Sequence, residues 1–160
     1  MRILLPGDVA ERLAYALREA GSREIGGVLM GEHVSEAVFR VKDLSVQRRG
    51  GTFASFVREV RTALVPLRRF FAETGHDYTR YNYLGEWHSH PSFPAKASHK
   101  DSESMWGIVD NPAVGANFAV LVTVRLGAEG RLEGYATAYL PGRCRLDASL
   151  EVEEKEGAAT

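Results

Sequence analysis

Two histidines one residue apart are the side chains of this sequence best suited to chemistry. They lie in the segment Gly85-Glu86-Trp87-His88-Ser89-His90-Pro91, just past the middle of the chain. The residues before the proline favour a β-strand, and on a strand every second side chain points to the same face. His88 and His90 would then lie side by side. Two imidazoles held on a rigid element form half of a tetrahedral zinc site.

A carboxylate for the same site follows after a proline-containing loop. Ser98 stands at the predicted start of a helix, and Asp101 falls in the first turn of that helix. Asp101 could therefore offer an oxygen as the third ligand. Two histidines and one carboxylate leave a fourth position for water, which is the arrangement of catalytic rather than structural zinc. Such a ligand set also accepts other divalent metals.

A metal-bound water needs a base that takes its proton, and Glu24 is the candidate. It precedes the run Ile25-Gly26-Gly27-Val28-Leu29-Met30-Gly31. This run predicts a strand whose glycines permit close approach of neighbouring backbone. The distance along the chain between Glu24 and the histidines argues neither way, because sites are assembled in space.

Each of these residues also has an ordinary structural explanation. A His-x-His pair often lies in a core or on a surface without a metal, and a glutamate before a strand is usually solvated. Ser98 and Asp101 form a capping box, a role that is compatible with metal binding at the same helix end. The five features in this order and spacing favour the metal site. Trp87 should face the opposite side, into the core, whereas Glu86 shares the face of His88 and is a candidate to orient it.

Length and composition restrict the class of protein. The 160 residues suffice for one domain with a hydrophobic core, and 44% hydrophobic with 26% charged residues is ordinary for a soluble globular chain. A formal net charge of −1 favours neither nucleic acid nor an anionic membrane, and no segment approaches the length of a membrane span. The single cysteine, Cys144, excludes an internal disulfide and suits a reducing compartment. We therefore expect a cytoplasmic protein.

The remaining pattern alternates strands and helices. Strands are predicted over Arg2–Pro6, Ile25–Met30, Ala37–Val46, Tyr81–Ser89, Asn117–Leu126 and Leu132–Tyr139, and helices over about 8–20, over Ser55–Thr74 and from Ser98. Asp8 and Glu11 predict a capping box for the first helix, and Pro66 predicts a kink or break in the second. Imperfect alternation predicts a bulge in the third strand. The sum is an α/β domain, a mixed sheet flanked by helices, over residues 1–148, with an acidic disordered tail over 149–160.

The ordered motif resembles the signature of a known family of zinc hydrolases. Glu24 with the Gly-Gly-x-Leu-x-Gly run, then His88-Ser89-His90-Pro91, six residues, Ser98, two residues and Asp101, is similar to the full motif of the JAMM metalloproteases. These are the zinc-containing, or MPN-plus, branch of the MPN domains. The wording Gly-Glu-Trp-His-Ser-His-Pro is closest to the prokaryotic, JAB-type members. The resemblance covers most of the chain and implies their fold, a cytidine-deaminase-like sandwich of a mixed sheet and helices.

The resemblance also implies a role for each motif residue. His88, His90 and Asp101 would hold one Zn²⁺ with a catalytic water as fourth ligand. Glu24 would be the general base and then the proton donor to the leaving amine. Ser98 would donate a hydrogen bond to the oxyanion of the tetrahedral intermediate.

The substrates of the family are chiefly ubiquitin-like proteins joined through a C-terminal glycine tail to lysine, with the tail extended along a strand edge. The resemblance therefore implies a deubiquitinase-like isopeptidase. Bacterial members often neighbour activating-like and conjugating-like enzymes, some in antiviral defence operons. Two alternatives stay open: release of a small sulfur-carrier protein from its cargo, and a non-catalytic MPN scaffold. The short segment Asp110–Ala116 leaves little room for the insertion by which larger relatives grip a second ubiquitin, so the chain resembles a minimal catalytic core.

Overall fold

The computed structural model describes residues 1–47 and 60–154 of the chain. Seven strands and three α-helices occur in this part, and a short 3-10 turn joins the fifth and sixth strands. In chain order they are β1 Arg2–Pro6, α1 Gly7–Ala20, β2 Gly26–Ser35, β3 Val38–Leu44, α2 Val60–Glu73, β4 Tyr81–Ser89, α3 His99–Val109, β5 Ala119–Leu126, β6 Leu132–Leu140 and β7 Cys144–Glu153.

The strands form one mixed sheet that closes into a barrel. Their order is β1-β3-β2-β4-β5-β6-β7, and β7 pairs with β1. The β1–β3, β4–β5 and β1–β7 pairs are parallel, and the other pairs are antiparallel. The predicted class, a mixed sheet flanked by helices, is confirmed. Every strand of the described residues has a neighbour on both sides, although the β1–β3 pairing covers only Arg2–Leu4 and the β4–β5 pairing only Gly85–Ser89.

Strand β7 shows that the predicted disordered tail is wrong as far as Glu153. The strand pairs antiparallel with β6 along its first half and parallel with β1 from Ser149 onward. Its acidic residues are matched by arginines of other strands: Arg2 lies 2.7 Å from Glu151, and Arg40 lies 3.0 Å from Glu153. The acidic composition therefore reflects pairing across strands rather than a solvated tail. Residues 155–160 lie outside the described residues.

The helices and β3 correct or confirm three further predictions. Helix α1 begins at Gly7 after Pro6, with no side-chain cap, so the predicted capping box at Asp8 is wrong; Asp8 lies inside the first turn, where its charge suits the helix dipole. Helix α2 continues through Pro66, which therefore does not split it. The predicted start of that helix, 55–59, lies outside the described residues.

The pairing of β2 with β3 skips Lys42, which confirms the predicted bulge in β3.

A one-residue bulge also divides β4. Met30 of β2 pairs with Tyr83 and Leu29 pairs with Gly85, so Leu84 has no partner on β2. Gly85 has a φ of +150°, and a Cβ at this position would collide with the backbone of Val120 on β5. Only glycine adopts this φ readily and also leaves room for the backbone of Val120.

The sheet separates two layers of apolar packing. On one face Trp87 packs with Leu13 and the other buried residues of α1. On the other face Met105 of α3 packs with Tyr139, and Phe70 of α2 packs with β2. Because Trp87 lies in the α1 layer, the predicted orientation of its side chain is confirmed and its neighbours in β4 face α2 and α3. Within the described residues, no helix combines the length and the apolar character needed to cross a bilayer.

Candidate metal centre

The structure brings His88, His90 and Asp101 together at the carboxyl end of β4. The Nε2 atoms of His88 and His90 are 2.7 Å apart, and they lie 3.4 and 3.5 Å from Oδ2 of Asp101. One ligand atom from each residue lies within 4.8 Å of the other two, and all three side chains are buried. Zinc bonds of about 2.0–2.1 Å at tetrahedral angles separate ligand atoms by roughly 3.3 Å. The two distances to Asp101 agree with this value, and the distance between the imidazole nitrogens is shorter, so the three side chains suit one small cation with the rings slightly further apart.

The carbonyl of Pro94 sets the orientation of His90. Nδ1 of His90 lies 3.0 Å from this oxygen, which can only accept, so Nδ1 carries the proton and the Nε2 lone pair faces the cluster. The Nε2 atom of His88 faces that of His90 at 2.7 Å. A cation between the two rings would be bound through both of these nitrogens. The loop that carries Pro94 is fixed in turn, because Thr123 Oγ1 donates to the carbonyl of Ala95 at 2.8 Å.

Asp101 is at once a helix cap and a member of the cluster. The Ser98 N–H donates to Oδ2 of Asp101 at 2.7 Å, and the Asp101 N–H donates to Oγ of Ser98 at 3.2 Å. This is the predicted capping box. Burial alone would raise the pKa of Asp101, but hydrogen bonds from His88 and Ser98 and the charge of His88 hold that pKa well below its usual range. The carboxylate is therefore anionic, as a metal ligand must be.

Glu24 is not one of the clustered residues; it stands two residues before the start of β2, the strand that pairs with β4. The Ile25 N–H donates to Oγ of Ser89 at 2.9 Å, and the Ser89 N–H donates to the Ile25 carbonyl at 2.8 Å. Extending this antiparallel register places Glu24 opposite His90, on the side of the sheet that carries both histidines. The side chain of Glu24 is exposed. It is accessible to a substrate that approaches the cluster.

Glu86 is a buried carboxyl on the same face as His88. The hydroxyl of Tyr83 donates to Oε1 of Glu86 at 3.5 Å, and Oε2 has no hydrogen-bond partner among the described residues. Burial raises the pKa of Glu86 to about 8, against the smaller opposing effect of the Tyr83 hydrogen bond. The predicted role of Glu86 in orienting His88 stays a prediction.

Ser102 and Tyr139 form a buried pair that sequence reasoning missed. Oγ of Ser102 lies 3.0 Å from the Tyr139 hydroxyl, and it donates to the carbonyl of Ser98 at 3.1 Å. Burial raises the pKa of Tyr139, so its hydroxyl stays protonated. The available signal was local, a serine next to Asp101 on the side of the helix that carries Met105. Its partner stands 37 residues further along the chain, where no local pattern points to it.

Comparison with known proteins identifies a family and a curated relative to which this chain is similar. Residues 6–135 match the family described as prokaryotic homologs of the JAB domain. A protein of Enterobacter hormaechei subsp. hoffmannii (strain UCI 50), named CD-NTase/cGAS isopeptidase, is 30% identical over 112 residues. The match covers 68% of this chain and 59% of that protein, so the chain spans about three fifths of the length of this curated relative.

Two solved structures share the fold. A solution structure of a protein from Desulfitobacterium hafniense has a TM-score of 0.64 at 17% identity and covers 96% of this chain and 94% of that chain. A solution structure of a protein from Salinibacter ruber has a TM-score of 0.54 at 19% identity, with coverage of 99% and 95%. At these identities the likeness concerns the fold alone. With the family match over most of its length, this chain belongs to the prokaryotic homologs of the JAB domain.

Proposed function

We propose that this protein is a zinc-dependent isopeptidase that cleaves the amide bond after the C-terminal glycine of a ubiquitin-like protein. The observation that carries the proposal is the cluster of His88, His90 and Asp101, which joins two histidines of one strand to a carboxylate at a helix start. Membership of the JAB family and the isopeptidase name of the relative support the class of reaction.

The three clustered side chains would hold the zinc through two neutral imidazoles and one carboxylate. Zinc at this position supplies Lewis-acid polarisation and an acidified water. The hydrogen bonds from the Ser98 N–H to Asp101 and from His90 to the Pro94 carbonyl orient two of these side chains for this role. Two imidazoles and a carboxylate also bind other divalent metals. The test therefore includes a measurement of which metal the purified protein contains.

Glu24 would transfer a proton from the attacking water to the leaving amine. Its place opposite His90, exposed and on the same side of the sheet, suits a base that takes the proton of the attacking water. The new C–O bond would form first and place negative charge on the carbonyl oxygen. The amide C–N bond would then break as Glu24 passes the proton to the leaving amine. One carboxylate therefore serves both halves of the hydrolysis.

Ser98 would stabilise the negative charge that develops on the carbonyl oxygen. Its Oγ accepts a hydrogen bond from the Asp101 N–H, which fixes the side chain at the start of α3. A donor fixed at a helix start needs no rearrangement when charge develops. Ser98 is exposed, as a residue that meets substrate must be.

The name of the relative also supports a setting. That protein is named for a CD-NTase/cGAS substrate, and we extend this to a protein conjugate of that kind as the target for the present chain. Activating-like and conjugating-like enzymes encoded nearby, in an antiviral defence operon of a cytoplasmic system, would be its partners. A neighbourhood that lacks all such genes would count against this setting, though not against the reaction.

The reaction is tested on a panel of ubiquitin-like proteins, each fused through its C-terminal glycine to a reporter. Wild-type protein should contain about one zinc per chain and cleave one or more of them after the glycine. Glu24→Gln should keep the zinc and lose roughly 10²–10⁴-fold in kcat. His90→Ala should lose both zinc and cleavage. Glu19→Gln, which changes an exposed glutamate of α1, is the matched control and should cleave normally.

The negative outcomes separate the alternatives. Zinc without cleavage of any ubiquitin-like fusion, but with release of a sulfur-carrier protein, would replace the substrate class. Neither zinc nor cleavage would contradict the enzymatic proposal and leave a binding domain. Cleavage that survives chelation would exclude the metal from the mechanism.

A further inference from the structure

We infer that Tyr139 and Ser102, named here the hydroxyl pair, are positioning residues that fix the first turn of α3 relative to the histidines of β4. Through this turn they would place Asp101 and Ser98. The inference rests on the proposed function, because the turn matters only if its side chains bind metal and substrate.

The hydroxyl pair has one consistent direction of hydrogen bonding. The carbonyl of Ser98 accepts from both the N–H and the Oγ–H of Ser102, each at 3.1 Å. Since the proton of Ser102 Oγ goes to this carbonyl, Tyr139 is the donor in the 3.0 Å contact between the two hydroxyls. A continuous chain of bonds therefore runs from β6 to the backbone of the N-cap residue. Such chains strengthen each member.

The candidate ligands come from two elements that are held in different ways. His88 and His90 belong to β4 and its end, which pair with strands on both sides. Asp101 belongs to α3, whose Met105 makes apolar packing against the sheet. Apolar packing sets the distance of a helix from a sheet but is not directional. Hydrogen bonds of Glu103 with Arg143 and of Trp106 with the Cys144 carbonyl hold later turns of α3 at the surface. The hydroxyl pair adds a buried directional contact at the first turn.

A small rotation of α3 would be enough to spoil the site. A side-chain atom lies about 6 Å from a helix axis, so a rotation of about 10° moves it by about 1 Å. Sites need their groups within about 0.5 Å of the productive geometry. Contact of the hydroxyl pair with the Ser98 carbonyl restrains this rotation at the turn that carries Asp101.

The burial of the pair favours a specific role over simple packing. Ser102 is 2% exposed and Tyr139 is 0% exposed, and the ring of Trp106 meets Tyr139 edge-on at 5.7 Å. Alanine and phenylalanine would fill nearly the same space without burying two hydroxyls, which is costly unless both are bonded. What the hydroxyls add is orientation.

The test compares two variants with two matched controls. Tyr139→Phe and Ser102→Ala each remove one hydroxyl of the pair. Tyr135→Phe changes a half-exposed tyrosine of the same strand, and Ser104→Ala removes a serine whose Oγ donates to the Lys100 carbonyl at 3.1 Å on the exposed side of α3. For each protein the Zn²⁺ affinity is measured by competition with a chromophoric chelator. Thermal unfolding of chelator-treated protein and steady-state kinetics are measured alongside.

We expect about tenfold weaker Zn²⁺ binding in each variant, as for loss of other partners that orient ligands. The kcat should fall with KM unchanged, and the double variant should lose little more than either single one, because the two hydroxyls act as a unit. Both controls should match wild type in affinity and kcat.

Zn²⁺ affinity equal to wild type in both variants overturns the inference by itself. If the Tm of the chelator-treated variants is lower as well, the hydroxyl pair has a purely structural role. Wild-type protein that takes up no Zn²⁺ overturns the inference together with the proposed function. Wild type that binds Zn²⁺ but cleaves nothing contradicts only the proposed reaction, and the affinities still decide the role of the pair.

Discussion

At the scale of single residues, Oδ2 of Asp101 is both the acceptor of a helix-capping hydrogen bond and a candidate metal-ligand atom. Its Oδ2 accepts the Ser98 N–H at 2.7 Å and also faces Nε2 of His88 at 3.4 Å. The sequence predicts that capping and metal binding are compatible at this residue. The structure shows a geometry that suits both, because an N-terminal turn presents its third side chain back toward the cap and out toward β4 at once.

The two functions can be separated by the choice of substitution. Asp101→Asn keeps an oxygen for the Ser98 N–H and removes the charge, so we expect Zn²⁺ affinity to fall at least tenfold while the Tm of chelator-treated protein stays near wild type. Asp101→Ala removes the cap as well and should cost about 1 kcal/mol of stability in addition. Chelator competition and thermal unfolding measure the two effects. Wild-type zinc affinity in Asp101→Asn would contradict the assignment of the ligand.

Residue types and spacing predict the candidate ligands but not all of their surroundings. The pair His88 and His90 follows from strand alternation, and Asp101 from its place in a helical turn. The buried environment of Glu86 and the contact of Ser102 with Tyr139 depend on residues brought together by other elements. No local pattern encodes them.

At the scale of the elements, local signals predict well where they are strong. The predicted bounds of β1 and β4 agree with the structure, because Pro6 and Pro91 stand at their ends. The predicted cap of α1 fails because the helix begins at Gly7, one residue before Asp8, with Pro6 as its N-cap residue. Competing start signals so close together cannot be ranked from the sequence.

Gly26 shows how one element constrains its neighbour at the site. A Cβ at Gly26 would lie 2.6 Å from the carbonyl oxygen of Trp87 and 3.1 Å from Cβ of His88. We expect Gly26→Ala to push β2 and β4 apart, destabilise the fold by about 1–3 kcal/mol and weaken Zn²⁺ binding. Thermal unfolding and chelator competition measure both.

Gly107→Ala is the matched control within α3. A Cβ there meets nothing within 4 Å, so the substitution should raise stability by about 0.5–1 kcal/mol and leave zinc affinity unchanged. Equal behaviour of the two alanine variants would show that the close approach at Gly26 is not needed.

At the scale of the whole molecule, the two ends of the described chain meet to close the barrel. Strand β1 pairs with β3 through Arg2–Leu4 and with β7 along its full length. This closure joins residues almost the whole chain apart. Local composition, which is acidic and small-residue-rich near Ser149, points instead to a tail, and only the partner strand reveals the error.

Truncation tests the contribution of the closure to stability. Removal of all residues after Ala148 deletes the segment that pairs with β1 and the Arg2–Glu151 contact. We expect a fall in Tm of more than about 10 °C or loss of cooperative unfolding, followed by circular dichroism. Truncation after Glu154 leaves every described strand intact and should keep the wild-type Tm. Equal Tm values for the two truncations would show that β7 does not support the barrel.

The bulge at Leu84 acts as a change of parity within β4. Before it, odd-numbered Tyr83 faces α2 and α3; after it, the even-numbered Glu86, His88 and His90 share that face. Had the strand alternated without interruption, the tyrosine and the histidines would stand back to back. The odd separation of five positions between Tyr83 and His88 is thus a built-in constraint. Insertion or deletion of one residue between Tyr83 and His88 would turn the imidazoles toward α1. A redesigned sequence or an alignment must therefore change the length of this segment by two residues at a time.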